Sequence, residues 1–349
     1  MSTVKFFKNK QPILVTGGSG FIGRNFIQAF QEEFSNLIVN LDLLTYAGQK
    51  GVNNISRDHQ YSFVEGCIGD AELISKLFHQ YQFEAVINFA AETHVDKSIE
   101  NPRLFLQSNI IGTFNMLEQS KLFWESLSES KKKNFRFVQI STDEVFGSLC
   151  INDPSFTEKS AYRPNSPYAA SKSSGDHLAR SYFKTFEFPT IVTNCSNNYG
   201  PFQFPEKLIP KMIINALNER ELPIYGNGKQ IRDWLHVRDH CKALVCILEN
   251  GIPGSSYNIG ADNEQTNLFI ANKICSLLDD MAPRKIGKYS DLITHITDRL
   301  GHDVRYSVDA TKLQKELGWS PEEDFLLELR NTIQWYVDNQ EWSNHFNQV

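Results

Sequence analysis

The chain has no apolar run long enough to cross a membrane. No stretch of its 349 residues approaches the ~18–20 apolar residues that a spanning helix needs. The opening segment "MSTVKFFKNK" also lacks the apolar core of a secretory signal. We therefore expect this segment to be a frayed extension of a cytoplasmic protein.

Cysteine is scarce and widely spaced. The six cysteines show neither a CxxC spacing nor a dense framework, which excludes a disulfide-stapled fold and a cysteine-ligated metal. We expect reduced thiols in a cytoplasm and no metal site.

An excess of basic residues is missing as well. The net charge of −6 and the pI of about 5.9 argue against nucleic acid or an anionic membrane as partner. The share of apolar residues, 41%, is ordinary for a soluble globular protein, and the length allows one large or two ordinary domains. A small molecule is the expected partner.

Strand-length apolar runs alternate with helix-length segments through the first half. "PILVTG", "LIVNLD", "EAVINFAA", "FRFVQIST" and "PTIVTNC" are separated by helical stretches over 21–34, 71–81, 104–127 and 168–186. This alternation predicts an α/β fold with a doubly wound parallel sheet. We expect 1–200 to form this Rossmann domain, with 232–262 returning to it. Residues 201–349 should form mainly a smaller, interleaved α+β domain over the carboxyl ends of the strands.

A glycine-rich turn follows the first strand. In "LVTGGSGFIG", Gly17, Gly20 and Gly23 allow a tight turn in which backbone N–H groups approach a pyrophosphate at a helix N-terminus. Asp42 ends the second strand, nineteen residues after Gly23, where a carboxylate accepts the ribose hydroxyls of NAD and repels the extra phosphate of NADP. The pattern predicts NAD as cofactor.

Two adjacent carboxylates follow the fourth strand of this series. "STDEVFG" places Thr142, Asp143 and Glu144 at the carboxyl edge of the sheet, where doubly wound folds bind ligands. Adjacent carboxylates in one enclosed site repel, so that one stays protonated and an acid lies beside a base, as an elimination of water requires. A helix N-cap with no catalytic role is the alternative.

"YAASK" places Tyr168 and Lys172 four residues apart, on one face of a helix. An ammonium beside the phenol should lower its pKa from ~10 toward neutrality. Tyrosinate would then take the proton of an alcohol or sugar hydroxyl while NAD accepts the hydride.

These motifs together resemble the extended short-chain dehydrogenases/reductases and, within them, the dTDP-glucose 4,6-dehydratase family. The similar stretches cover nearly the whole chain. They are "TGGSGFIG", "NLDLLTYAG", "FAAETHVDKSI", "STDEVFG", "SPYAASK", "NCSNNYGPFQFPEKLIP", "PIYGNGKQIRDWLHVRDHC", "YNIGADNEQTNL", "DRLGHDVRY" and "ELGWSP".

The resemblance implies a sequence of proton transfers. Tyr168, assisted by Lys172, takes the C4 hydroxyl proton, Glu144 removes the C5 proton, and protonated Asp143 donates to the departing C6 hydroxyl. Thr142 hydrogen-bonds the C4 oxygen. The product, a 4-keto-6-deoxy sugar nucleotide, belongs to deoxysugar biosynthesis.

The resemblance also implies two binding sets and a homodimer through a four-helix bundle. The cofactor set is Gly17, Gly20, Phe21, Ile22, Gly23, Asp42, Leu44, Thr45, Cys67, Ile68, Phe89, Ala90, Ala91, Ser108, Tyr168, Lys172 and Asn198. The substrate set is Thr93, Thr142, Asn197, Lys207, Leu208, Pro223, Tyr225, Arg232, Asn267, Arg299 and His302. Residues 201–349 would accordingly be mainly the sugar-nucleotide-binding domain.

Alternatives remain open at this point. The family usually has an acid where this chain has Cys67, which puts the tightness of NAD binding in question. A nucleotide-sugar 4-epimerase would not need Asp143 and Glu144, and a non-catalytic NAD-binding regulator would need neither these nor Tyr168. The residues do not decide between thymine and uracil.

Overall fold

The computed structural model describes residues 11–46, 48 and 60–345. "MSTVKFFKNK" lies outside the described residues. The strands are β1 Ile13–Thr16, β2 Ile38–Asp42, β3 Tyr61–Glu65, β4 Ala85–Asn88, β5 Arg136–Thr142, β6 Thr190–Cys195, β7 Asn197–Tyr199, β8 Leu222–Tyr225, β9 Ile231–His236, β10 Ser256–Ile259, β11 Glu264–Thr266 and β12 Ile293–Ile296.

The helices surround these strands. They are α1 Phe21–Glu33, α2 Ala71–Tyr81, α3 Val95–Glu100, α4 Pro102–Phe105, α5 Thr113–Glu125, α6 Glu129–Asn134, α7 Pro167–Phe186, α8 Leu208–Leu217, α9 Val237–Asn250, α10 Asn267–Met281, α11 Thr311–Leu317, α12 Phe325–Asp338 and α13 Gln340–His345. A π-helical segment, Leu106–Gly112, joins α4 to α5, and 3-10 turns cover Asp143–Phe146 and Tyr289–Leu292.

Seven parallel strands form the main sheet, in the order β10-β6-β5-β4-β1-β2-β3. One apolar cluster packs between the sheet and α1, α9 and α11, and a second fills the opposite face under α2, α5 and α7. Helices on both faces of a parallel sheet define the doubly wound fold, so the predicted fold class is confirmed.

A smaller region covers the carboxyl end of the sheet. The three-stranded sheet β11-β9-β7 and the pair β12-β8 pack with α8, α10 and α12 around a third apolar cluster. The segment 232–262 is divided between the two regions, because β9 pairs with β7 and β11 whereas β10 pairs with β6 in the main sheet. The helix between them, α9, packs on α1.

The structure departs from the predicted elements in two further places. Strand β3 precedes α2 and was missing from the series of apolar runs, so Ser141 lies on the fifth strand of the chain and not the fourth. The single helix predicted over 104–127 is wrong in detail, because a π-helical segment, Leu106–Gly112, interrupts it.

Candidate active site

The glycine turn leaves no room for side chains. Gly17 has a φ of +68°, and a Cβ at this position would lie 2.7 Å from the backbone nitrogen of Ala90. A Cβ on Gly23 would lie 2.5 Å from the carbonyl oxygen of Gly17. The turn is therefore a bare backbone cradle at the N-terminus of α1, which suits a pyrophosphate.

Asp42 is held beside this cradle. Its carboxylate accepts from the backbone N–H of Ser19 at 2.9 Å and from that of Leu44 at 2.8 Å. Burial raises its pKa, and these hydrogen bonds oppose the effect. The cradle and the carboxylate together fit a dinucleotide that lacks a 2′-phosphate.

A cavity of about 780 Å³ extends from this turn along the carboxyl edge of the sheet. Leu44 is the one predicted cofactor residue that does not line it, and this residue acts through its backbone N–H to Asp42. The lining includes the other predicted cofactor residues: Gly17, Gly20, Phe21, Ile22, Gly23, Asp42, Thr45, Cys67, Ile68, Phe89, Ala90, Ala91, Ser108, Tyr168, Lys172 and Asn198.

Thr142, Asp143 and Glu144 lie at the end of β5, in the wall of this cavity. The hydroxyl of Thr142 accepts from the backbone N–H of Glu144 at 3.3 Å, which caps the 3-10 turn. The predicted N-cap is therefore present as well. Both carboxylates can still lie in the cavity wall, because only the backbone of Glu144 takes part in the cap.

The two carboxylates are unequal. Burial, followed by repulsion from Glu144, raises the pKa of Asp143 well above its ordinary value. Burial also raises the pKa of Glu144, but Lys207, Arg299 and Arg232 oppose that rise. Burial and repulsion therefore favour a proton on Asp143, and the three cations favour the negative charge on Glu144. The Oδ2 atom of Asp143 has no hydrogen-bond partner within the described part of the chain, and so it is available to a ligand.

Tyr168 and Lys172 lie on α7, opposite these carboxylates, and both are buried. The predicted lowering of the pKa of Tyr168 does not appear. Burial, followed by repulsion from Glu144, raises it well above its ordinary value. Lys172 Nζ donates to the carbonyl oxygen of Ile140 at 2.7 Å, and burial lowers the pKa of the ammonium. Burial is the largest cause in both groups, and Lys172 is not among the leading influences on the pKa of Tyr168.

A second cavity, of about 260 Å³, opens beside the first. Two predicted substrate residues, Thr93 and Thr142, line the first cavity. Glu144, Asn197 and Lys207 line both cavities and mark their junction. The second cavity is lined by the remaining predicted substrate residues, Asn197, Lys207, Leu208, Pro223, Tyr225, Arg232, Asn267, Arg299 and His302.

The second cavity contains arginine side chains that neighbouring groups hold in place. Arg232 is buried, donates to the backbone oxygen of Asp303 at 3.1 Å and lies 4.3 Å from the centre of the Tyr306 ring. Arg299 lies 3.7 Å from Asp96, and His302 Nδ1 lies 2.6 Å from Asp298. Guanidinium groups held in this way match the paired oxygens of a diphosphate.

The loop "NCSNNYGPFQFPEKLIP" bridges the two cavities. The Oδ1 atom of Asn197 is buried and has no hydrogen-bond partner in the described ranges. Lys207 Nζ donates to the carbonyl oxygen of Thr93 at 3.0 Å. Asn198 is fixed by His240, whose Nδ1 lies 2.9 Å from Asn198 Oδ1. Burial lowers the pKa of His240 to about 3, so this histidine is neutral.

Several site residues were not predicted. Glu206 lines both cavities, accepts from the hydroxyl of Tyr46 at 3.3 Å and lies 3.5 Å from His94 Nε2. The sequence carried no signal for this cluster, whose members are far apart along the chain. His236 has a carboxylate partner that the sequence did not indicate, since Glu328 lies 3.7 Å from its Nε2. No cluster of three metal-ligating side chains occurs in the described residues.

The family model described as GDP-mannose 4,6 dehydratase matches residues 14–332. The dTDP-glucose 4,6-dehydratase of Neisseria meningitidis serogroup B is 49% identical over 334 residues, which cover 95% of this chain and 94% of the relative. The chain belongs to the dTDP-glucose 4,6-dehydratase family. Solved structures agree with this assignment.

The dTDP-glucose 4,6-dehydratase of Bacillus anthracis, solved in complex with NAD, is 42% identical to this member of the family. The Bacillus anthracis structure matches this chain with a TM-score of 0.84, and the match covers 96% of this chain and 99% of that chain. The enzyme of Streptomyces venezuelae, also solved with NAD bound, is 37% identical with a TM-score of 0.86, over 96% of this chain and 100% of that one. None of the helices between residues 11 and 345 that the structure describes combines the length and apolar character of a membrane span.

Proposed function

We propose that this chain is an NAD-dependent hydro-lyase that converts dTDP-glucose to dTDP-4-keto-6-deoxyglucose and water, an early step of deoxysugar biosynthesis. The observation that carries this proposal is the position of Asp143 and Glu144: Glu144 lines both cavities, and its neighbour Asp143 lies in the wall of the dinucleotide cavity. A sugar at that junction reaches the acid, the base and Tyr168 together.

Tyr168 is the base for the C4 hydroxyl. Its phenol lies in the wall of the dinucleotide cavity, on the same helical face as Lys172. NAD, when bound, would supply the hydride acceptor at C4 and later the hydride for C6. The Lys172 ammonium, one helical turn from Tyr168, would favour tyrosinate against the effect of burial. Thr142 donates a hydrogen bond to the C4 oxygen.

Glu144 and Asp143 carry out the elimination. The C4 ketone acidifies the C5 hydrogen, which Glu144 removes as a proton. Asp143 gives its proton to the C6 hydroxyl, the C6–O bond breaks, and water leaves. C6 then receives the hydride removed from C4 and a proton returns to C5, which gives the 4-keto-6-deoxy product. The order of their pKa values supports this division of roles, since Asp143 is more strongly raised than Glu144.

The second cavity takes the nucleoside diphosphate. Arg232 and Arg299 balance the diphosphate charge, Lys207 and Asn197 hold the sugar at the junction, and Tyr225 flanks the base. These assignments are supported by the lining of the cavity and by the buried, unpartnered Oδ1 of Asn197.

A nucleotide-sugar 4-epimerase is the rival among enzymes. Epimerisation requires neither a C5 base nor a C6 acid, so it gives Asp143 and Glu144 no function. A non-catalytic regulator would likewise leave the Tyr168 and Lys172 pair without a function. The paired carboxylates therefore favour dehydration.

The deciding experiment mixes the purified protein with dTDP-glucose without added NAD and follows product mass and the alkali-induced 4-keto chromophore. Loss of one water is expected. Loss only after NAD is added would keep the reaction and locate a weakness at Cys67. No loss with dTDP-glucose or UDP-glucose would reject the dehydratase.

The proposed assembly is a homodimer. Apolar side chains of α5 and α7 are exposed: Phe114 at 41%, Leu122 at 49% and Phe186 at 42%. Burying such a stripe against a second copy forms the four-helix bundle. Phe114→Glu should lower the mass measured by light scattering from that of a dimer to that of a monomer. Glu221→Gln, a change at an exposed polar residue, should leave the mass unchanged. An unchanged mass for Phe114→Glu would reject this interface.

We place the enzyme in the cytoplasm. All six cysteines are free in the structure, including Cys67 and Cys150, which are exposed. Free exposed thiols suit a reducing compartment.

A further inference from the structure

A fully buried carboxylate lies two helical turns beyond the base on α7. Tyr168, Lys172 and Asp176 follow one another at intervals of four residues and therefore share a helical face. Asp176 is 0% exposed. A buried carboxylate is costly unless it is paired or hydrogen-bonded, and the reaction described above gives Asp176 no role.

One oxygen of Asp176 joins α7 to the sheet. Its Oδ2 accepts from Ser141 Oγ at 2.6 Å, from the hydroxyl of Tyr162 at 3.0 Å and from Asn194 Nδ2 at 3.4 Å. The same Asn194 nitrogen lies 3.2 Å from the carbonyl oxygen of Thr142. The carboxylate therefore connects the catalytic helix to the carboxyl ends of β5 and β6, on both sides of the Thr142 backbone.

The other oxygen, Oδ1, is buried and has no hydrogen-bond partner within the described residues. Burial raises the pKa of Asp176, whereas its hydrogen bonds and two cations oppose that rise. The cations are Lys172 and Arg180, each one turn away on α7. Arg180 already donates to the hydroxyl of Tyr162 at 2.7 Å. Lys172 is thus the buried cation whose charge Asp176 balances.

The environment of Lys172 makes this balance necessary. Burial lowers the pKa of the ammonium, whereas Asp176 and Cys195, which faces it from β6, raise it. Burial raises the pKa of Cys195 to about 12, so this thiol carries no charge near neutral pH. Among the groups that act on Lys172, Asp176 is therefore the one that supplies negative charge.

We propose that Asp176 is a positioning residue for the oxidation at C4. Its carboxylate fixes the Tyr168 and Lys172 turn of α7 against the ends of β5 and β6, and it provides the counter-charge that keeps Lys172 protonated. The inference rests on the proposed function, because it concerns the base of the first step.

Two variants separate charge from structure. Asp176→Asn keeps the shape of the side chain and an oxygen for Ser141, but it removes the charge. Tyr162→Phe removes one hydrogen bond to the same Oδ2 and leaves the charge in place. Both variants should lower the unfolding temperature, whereas only Asp176→Asn should change the pKa of the base, Tyr168.

The oxidation is best observed in isolation. dTDP-xylose has no C6 and cannot lose water after its C4 is oxidised, so the reduced nicotinamide should accumulate. Its near-ultraviolet absorbance, followed in one turnover of the NAD-loaded protein over a range of pH, gives the pH profile of the base. A role in folding alone would not displace that profile.

In Asp176→Asn we expect the rising limb of this profile to move about one pH unit upward, since loss of the positive charge on Lys172 raises the pKa of Tyr168. At pH values below the rising limb, the rate of C4 oxidation in Asp176→Asn should be about tenfold lower than in the wild type. Tyr162→Phe and Asp176→Glu both retain the charge of residue 176, so both should keep the limb at its wild-type position.

An unmoved limb in Asp176→Asn, or an equal displacement in Tyr162→Phe, would overturn the inference while leaving the dehydratase intact. If Asp176→Asn fails to fold, a displaced limb in Asp176→Glu would overturn it instead. Silence of the wild type with dTDP-xylose and with dTDP-glucose alike would reject the proposed function itself.

Discussion

Glu144→Gln separates the two halves of the proposed reaction. The substitution keeps the shape of the side chain and the backbone N–H that donates to Thr142 at 3.3 Å, so the 3-10 turn should persist. It removes the base for C5 and leaves the side chains of Tyr168 and Lys172 unchanged, although it also removes a negative charge that raises the pKa of Tyr168. Loss of a positioned acid or base costs about 100- to 10,000-fold in rate, and we expect dehydration to fall within that range.

The assay for this variant follows three quantities. Bound NAD should equal the wild-type content, reduced nicotinamide should accumulate on mixing with dTDP-glucose, and the 4-keto-6-deoxy product should be nearly absent. Glu221→Gln, in the exposed turn before β8, is the matched control and should behave as wild type. Normal dehydration by Glu144→Gln would refute the base assignment. Absence of any cofactor reduction would show that Glu144 acts before the elimination.

The pH dependence provides a second test of the same pair. Glu144 must be ionised and Asp143 protonated, and the pKa values of both are raised. Dehydration should therefore decline as pH falls through the pKa of Glu144 and as pH rises through the higher pKa of Asp143. The acidic limb should be missing from the residual activity of Glu144→Gln. A persisting acidic limb would assign that limb to another group.

Three further substitutions test the binding sites. Gly17→Ala places a Cβ 2.7 Å from the Ala90 nitrogen at a φ of +68°, so it should abolish NAD binding in calorimetry and lower the unfolding temperature; retained binding would contradict the cradle. Cys67→Asp should tighten NAD about fivefold in the same titration, as expected for one restored hydrogen bond of ~1 kcal/mol, and an unchanged Kd would remove Cys67 from the cofactor site. Arg299→Ala should raise KM for dTDP-glucose by at least about tenfold with little change in kcat, since a charge-assisted hydrogen bond contributes about 1.5–3 kcal/mol; a fall in kcat alone would place Arg299 at the reacting centre.

The sequence alone was sufficient for the fold class and for the glycine-rich turn after β1. Strand-length apolar runs between helical segments indicate a parallel sheet buried on both faces, and the glycines after β1 have a local steric cause. The carboxyl-edge position of Asp143 and Glu144 also followed from chain order, because a strand end in a parallel sheet is a ligand site. The identity of the distant substrate residues came from resemblance and not from spacing.

Tertiary structure alone decided the properties that depend on what surrounds a group. Strand β3, partly exposed along its length, gives too weak an apolar signal to be recognised. The sequence predicted a lowered pKa for Tyr168, whereas burial raises it. Glu206 beside Tyr46 and His94, and Asp176 beside Ser141 and Asn194, join parts of the chain that no local pattern relates. Periodicity and turn chemistry are local and can be read along the chain, whereas desolvation and charge pairing are set by neighbours that only the folded chain brings together.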